Sequence, residues 1–553
     1  MNSRPISLAS SLSENSDTLS KQSSIQEHTG PVQKNEDLNK LLIQRFEVED
    51  SLCLNAHQEE NAARGELLSS AKSRHTDNDE TIVAKVFTNK STGELDLPPD
   101  GGYGWVCCIC VTLIMFSTWG SNAGFGVFLA YYIKSGTFPG ATKYDYALIA
   151  GMTAAFGQGM APVAMFLTRL FGCKPPMYVG IVTLFSGFIL ASFATKLWQL
   201  YLTQGVLVGI SIALLYAPAT TIIPGWFLRK RSSAIGISFI GTGAGGVTYA
   251  VSVGKLLQQS GSQAWPLRMM AISCTITCIV STILLKPRNP PKPAGIRSLT
   301  KVVTEFKSIF STRVTTIYRV DLVAVWFAFS LLGYNLVLFT LSPSAVAKGL
   351  SSHQASILTT CMNAAQTFGR PMIGYSGDKL GRINVTVFLT AILIVFVFIF
   401  WITAHNFVQL LMFSICVGSC MGVANVMGTV LVADIVDPAD FLPAWSLVNA
   451  LGSPLLLVCE LVAQALTDPK HPTNPYLHTQ IFAGLCFLCA LLLIAVFREL
   501  RVRNTLEQVR DQSRGTLESS EGNESEKEEF NNEDVMGRGP ANFFRRMFYP
   551  MKL

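Results

Sequence analysis

Long apolar runs constrain this chain more than any other feature of its sequence. Stretches of about 20 residues, the length a helix needs to cross a ~30 Å hydrocarbon core, recur through its middle. We read twelve, over residues 105–133, 144–167, 177–194, 197–225, 233–257, 265–285, 320–341, 354–375, 383–403, 407–432, 443–466 and 477–496. The runs are continuous rather than alternating, which excludes a closed β-barrel. Charged residues are only 14% of the chain and hydrophobic ones 49%, although long polar ends dilute the average. The expected class is an all-α integral membrane protein.

Lysine and arginine set the expected orientation. The loops after even-numbered runs carry Arg169 and Lys174, then Arg229, Lys230 and Arg231, then a cluster from Lys286 to Arg319, then Lys379 and Arg382. Arg498, Arg501 and Arg503 follow the last run, whereas the opposite loops hold only Lys134, Lys143, Lys196, Lys348 and Lys470. Both termini are therefore expected in the cytosol. The net charge of +6 belongs to this asymmetry and does not call for a nucleic-acid partner. Residues 1–99 read as a disordered cytosolic tail without the apolar stretch of a signal peptide. Residues 100–285 then form one six-helix bundle, 286–319 a cytosolic linker, 320–497 a second bundle, and 498–553 a mostly disordered cytosolic tail. The linker opens with Lys286-Pro-Arg-Asn-Pro-Pro-Lys-Pro293 and continues with helical spacing. A six-and-six division is the layout of transporters built from parallel repeats.

Patterns that would indicate other chemistry fail on context. Cys107-x-x-Cys110 and Cys486-x-x-Cys489 lie in apolar runs, where cysteine behaves as a small hydrophobe. Gly241-x-Gly243-x-x-Gly246 also sits in an apolar run with no preceding strand, so close helix packing explains it better than a nucleotide loop. His353, His405, His471 and His478 lie near the lysine-poor loops without metal-ligand spacing. We expect no enzyme activity, no cofactor and no metal.

Three stretches carry more specific information. Gly374-x-x-x-Asp378-Lys379-x-Gly381-Arg382 closes the eighth run. Gly381 permits a reversal, Asp378 can accept from the N-terminal amides of a neighbouring helix, and Lys379 and Arg382 suit an anionic inner leaflet. In the first half, Gly172 and Lys174 keep that pattern but Arg169 stands in the aspartate position; a latch built from these loops should be chiefly C-terminal. Asp100-Gly101-Gly102-Tyr103-Gly104-Trp105 enters the first run, and Trp226-Phe227-Leu228-Arg229-Lys230-Arg231 enters the fifth. Taken singly, Trp105 reads as an interfacial anchor and Arg229 to Arg231 as orientation charges. The turn resembles the loop between the second and third helices of each half in the major facilitator superfamily. The two entry stretches resemble the paired signatures of the monocarboxylate transporter family, and the resemblance covers Asp100 to about Arg503; Phe116 to Gly124 and Leu197 to Gly205 look most like its fungal homologues. It implies a major facilitator fold, with twelve transmembrane helices in two six-helix bundles. It also implies a monomer whose partners are the lipid bilayer and a small-molecule substrate, with an accessory membrane protein left open.

Arg370 lies eight residues before Asp378, about 12 Å along a helix. Asn363, Gln366, Thr367 and Arg370 share one helix face. A charge inside a membrane helix costs at least ~2.5–3.5 kcal/mol, which marks a functional position. A guanidinium offers a planar fork that fits a carboxylate; the alternatives are snorkelling to headgroups or a structural pair. The family resemblance implies that Arg370, followed by Pro371, is the anion-binding arginine. It also shows Gln366 at the family's proton-coupling aspartate and Ala123, beside Asn122, at its lysine. Glu460 is the only other acidic side chain well inside a run, and is the proton-coupling candidate. Asn122, Tyr334, Asn335, Asn425 and Asn449 either line the same cavity or bond between helices. The expected function is secondary active or facilitative transport of a small, monocarboxylate-like anion by alternating access. The alternatives are a larger vitamin-like solute such as riboflavin, or a sensor on a transporter fold. The expected site is the plasma membrane, with the vacuolar membrane as the alternative.

Overall fold

A computed structural model of the chain describes residues 98–288, 293–295, 298–309, 317–438, 440–468 and 474–519. The expected tails at 1–97 and 520–553, and Lys470 and His471, lie outside the described residues. The described residues are helices and loops, without strands. We number the membrane-length helices α1 (Tyr103–Tyr132), α2 (Tyr144–Phe171), α3 (Lys174–Ser192), α4 (Leu197–Trp226), α5 (Arg231–Ser260), α6 (Ala264–Leu284), α7 (Tyr318–Ala347), α8 (Ser352–Leu380), α9 (Arg382–Trp401), α10 (Phe407–Ala433), α11 (Phe441–Ala465) and α12 (Leu477–Ser519). A separate helix, Leu299–Ile309, lies between α6 and α7.

Eleven of these helices are long and apolar enough to cross a membrane. The exception is α8, which has the length, at 29 residues, but is too polar. Its polarity comes from the face carrying Asn363, Gln366 and Arg370, and all three side chains are buried among other helices rather than facing outward. The helix that carries the candidate site is thus long enough to span a membrane but less apolar than the other eleven.

Helices α1–α6 pack on one another, with α5 and α6 on α1 and α3 on α4 and α6; α7–α12 do the same, with α11 and α12 on α7 and α10 on α8. The two sets meet along α2–α11 and α5–α8. Glycines permit that closeness: a Cβ on Gly241 would lie 1.9 Å from the Thr112 carbonyl oxygen of α1, and one on Gly236 would lie 2.5 Å from the Arg370 carbonyl oxygen of α8. The glycine run of α5 is therefore a packing surface used on two sides.

Two features go beyond the sequence reading. Helix α12 continues to Ser519, well into the tail from 498 that the sequence reads as mostly disordered. Arg503 and Glu507 pair at 2.8 Å across one turn, and the added segment is rich in straight-chain residues that favour helix. Helix α4 is not regular, because Tyr201–Leu207 is a π-helical segment, and Phe396–Trp401 in α9 is another.

Candidate functional site

Arg370 is 1% exposed, in the interior where α5, α7, α8 and α10 meet. Gly422 makes room for its stem, since a Cβ there would lie 2.7 Å from the Arg370 Cγ. The guanidinium donates from Nη1 to the Phe239 carbonyl oxygen at 2.9 Å. That carbonyl sits where α5 is interrupted between Ser238 and Ile240. Nη2 donates to Gln366 Oε1 at 2.6 Å and to the Tyr334 hydroxyl at 3.4 Å, and Tyr334 donates to the same Gln366 oxygen at 3.1 Å. Nε has no partner. Every acceptor is neutral, and among the described residues no carboxylate pairs with Arg370. The charge is positioned but not neutralised, a costly arrangement unless an anion completes it.

The arginine faces a cavity between the two helix sets, enclosing about 570 Å³ including its solvent-open part. Arg370, Asn122, Tyr334, Asn335 and Asn425 line it together, with Ala123 beside Asn122. Gln366 and Asn363 do not line it: Gln366 holds Arg370 and Tyr334 from behind, and Asn363 Oδ1 accepts from Gln366 Nε2 at 3.4 Å. Asn449 also lies elsewhere, donating to the Trp445 carbonyl oxygen. Gln158, Trp119 and Tyr216 complete the wall and were not singled out from sequence. Gln158 had a usable signal, a polar amide inside an apolar run; its Oε1 is buried without a partner. Glu460 is 5% exposed but outside this cavity. Its Oε1 accepts from Gln464 Nε2 at 3.2 Å, and Oε2 has no partner.

A second cluster closes one end of the interface. Asp378 accepts from the backbone amides of Ser232 at 3.1 Å and Ser233 at 2.8 Å, and from the Ser233 hydroxyl at 2.6 Å. These are the first-turn amides of α5, where the helix dipole favours an anion. Asp434, at the end of α10, takes Arg231 and Arg382 together, each at 2.7 Å. Arg382 also donates to the Leu228 carbonyl oxygen at 2.8 Å. Gly374 brings α8 against this turn, since a Cβ would lie 2.2 Å from the Ser232 carbonyl oxygen, while Gly381 (φ 99°) makes the reversal and Lys379 is exposed. Arg231 is therefore a buried partner in an ion network, not the simple orientation charge expected from sequence. Arg169 pairs with Glu305 of the linker helix at 3.6 Å.

The two entry stretches are in contact. Asp100, the only described non-glycine residue with positive φ (51°), accepts on Oδ1 from the amides of Leu228, Arg229 and Lys230. Gly101 follows it, Gly102 continues the turn with φ 59°, and Trp105 packs edge-on to Phe227 at 4.8 Å. Trp105 is thus part of a packed turn. The carboxylate of Asp100 organises the α4–α5 loop, which leads into the helix turn whose amides Asp378 takes.

Residues 107–351 and 323–522 match the Major Facilitator Superfamily. The chain belongs to that superfamily. Among its relatives, Uncharacterized transporter ESBP6 of Saccharomyces cerevisiae is 52% identical over 86% of this chain and 72% of its own length. Probable transporter MCH2 of the same organism is 31% identical over 75% and 86% respectively. Among solved structures, the proton:xylose symporter XylE aligns with a TM-score of 0.55 at 13% identity, covering 70% of this chain and 94% of its own. The human organic anion transporter MFSD10 aligns at 0.51 and 15%, covering 72% and 100%. At such low identity the structures establish the fold. As a major facilitator protein the chain is a membrane transporter rather than an enzyme.

Proposed function

We propose that this protein carries a small organic anion across the membrane by alternating access, in the manner of the monocarboxylate transporter family. The observation that carries the reading is Arg370, a buried cation on the wall of the interface cavity, held by three neutral acceptors and paired with no carboxylate. Gln366 fixes the fork without cancelling its charge, which leaves the guanidinium for a carboxylate. Asn122, Asn335 and Tyr334 complete the anion site from both halves. The Asp378 and Asp434 cluster holds the halves together at one end, and its release would open the cavity there. The lysine and arginine distribution supports placing that end, and both termini, in the cytosol, with residues 100–285 and 320–497 as the two moving bundles. The plasma membrane is the proposed location.

Glu460 is the proposed proton carrier, because its carboxylate is buried within α11 and one of its oxygens has no partner. The test is flux of radiolabelled lactate, pyruvate and riboflavin in proteoliposomes, with and without a pH gradient. Carboxylate flux supports the reading, and flux of riboflavin alone favours the vitamin-like alternative. Absence of any flux, with a signalling phenotype that survives Arg370→Ala, points to a sensor. Glu460→Gln should remove gradient-driven accumulation and keep exchange; an unaltered pH response removes Glu460 from the scheme.

A further inference from the structure

A second cavity adjoins the first. It comprises about 300 Å³ within α1–α6, its solvent-open part included, and shares Asn122 with the Arg370 cavity. Asn122 makes no side-chain hydrogen bond to a described residue, so its amide stands between the two spaces without being committed to either. The walls of the second space differ in kind from those of the first. Phe125, Phe128, Phe188 and Met270 supply three rings and a thioether, each at most 9% exposed.

Ser121, Asn122, Thr153 and Gln204 interrupt these walls with polar groups. Gln204 is 4% exposed, lines the cavity, and sits beside the buried Tyr132 hydroxyl with its Oε1 making no hydrogen bond. It sits in the π-helical segment Tyr201–Leu207. Its own carbonyl oxygen accepts from Thr153, another cavity residue. Insertion of a π turn into an α-helix is unfavourable and recurs at functional sites because it redirects side chains. A buried amide oxygen left unmade costs about 1–3 kcal/mol, which a ligand donor would recover.

We propose that the two cavities form one bipartite site for an amphiphilic carboxylate: the acid group at Arg370, an aromatic or similarly flat apolar body among Phe125, Phe128, Phe188 and Met270, and a hydroxyl or N–H donor at Gln204. This rests on the anion reading of Arg370 and names the substrate class within it. Rings stack on rings without strict sequence of contacts, whereas a donor facing an orphaned acceptor discriminates sharply against the analogue that lacks it.

Lactate, 3-phenyllactate and 3-(4-hydroxyphenyl)lactate add the ring and then the hydroxyl to one carboxylate, so they read the two steps separately. Their half-inhibitory concentrations are compared against a labelled carboxylate in proteoliposomes of the full chain. We expect a fall of tenfold or more on adding the ring and a further fall of about fivefold on adding the hydroxyl. Gln204→Leu should abolish the hydroxyl step, and Met270→Trp, which fills the apolar space, should abolish the ring step. Each step is a ratio within one preparation and is independent of expression, and either variant suffices if the other does not fold. Equal inhibition by all three acids, or steps that persist in the variants, overturns the proposal while leaving Arg370 as an anion site. Inhibition by the three carboxamides as strong as by the acids overturns the anion reading itself.

Discussion

Replacing Asp378 by alanine should unlatch one end of the protein by an amount that the structure allows to be worked out. The carboxylate accepts three bonds from α5, at 3.1, 2.8 and 2.6 Å, and its side chain is only 10% exposed. Hydrogen bonds to a charged group contribute about 1.5–3 kcal/mol each. Once the halves part, water satisfies the same amides, so a net of about 1 kcal/mol apiece is the appropriate figure. The latched state then loses about 3 kcal/mol, roughly a hundredfold change in the ratio of latched to open molecules. Distances between spectroscopic labels at Phe171, the end of α2, and Lys379, the end of α8, report the opening. In Asp378→Ala the ratio of long-distance to short-distance molecules should rise by roughly a hundredfold, whereas Asp378→Asn, which keeps one acceptor, should fall between it and the parent. An unchanged distance distribution in Asp378→Ala would refute the assignment of the latch to this cluster.

Asp100→Ala should lower the thermal midpoint in detergent, because it orphans three amides at a cost of about 1–3 kcal/mol; Asp100→Asn should recover part of the loss, and equal melting of all three proteins counts against the turn as an organising element. Gly241→Ala should destabilise by about 3 kcal/mol, since its Cβ would meet a carbonyl oxygen at 1.9 Å. Gly254→Ala is its control, with the nearest atom at 3.9 Å; indistinguishable melts would remove the packing argument. Lys348, which caps α9 through the Trp401 and Ala404 carbonyl oxygens, has its ammonium drawn from 10.5 down to about 8 by burial. A folded value below the unfolded one means that stability rises as pH climbs from about 8 toward 10.5. Lys348→Met should lose that rise, as measured by melts at pH 7.5 and 9.5.

The sequence made some of this legible and hid the rest for physical reasons. The apolar runs gave the helices, because crossing the bilayer is a local requirement of length and hydropathy. The polar face of α8 was legible despite failing that test, because its residues repeat at helical spacing and its end carries a turn with a mechanical logic. The role of Asp378 as an acceptor of helix N-terminal amides was readable as a chemical capacity; that the amides are those of Ser232 and Ser233, more than 140 residues away, depended on tertiary structure. Asp434 went unnoticed for the same reason, since its meaning comes from two arginines on other helices. Gln366 shares a helix face with Arg370, but one turn of helix separates lining the cavity from supporting the residue that does. The π-helical segment around Gln204 has no local signature, because hydrogen-bond register is decided by packing.

The central claim is that Arg370 recognises a carboxylate. The direct measurement is binding of pyruvate and 3-(4-hydroxyphenyl)lactate, each against its carboxamide, to purified protein and to Arg370→Gln, with folding of both checked by thermal melts. The account predicts that at least one acid binds the parent tenfold or more tightly than its amide and that the preference disappears in Arg370→Gln. A preference of the same size in the variant, or none in the parent, would contradict it.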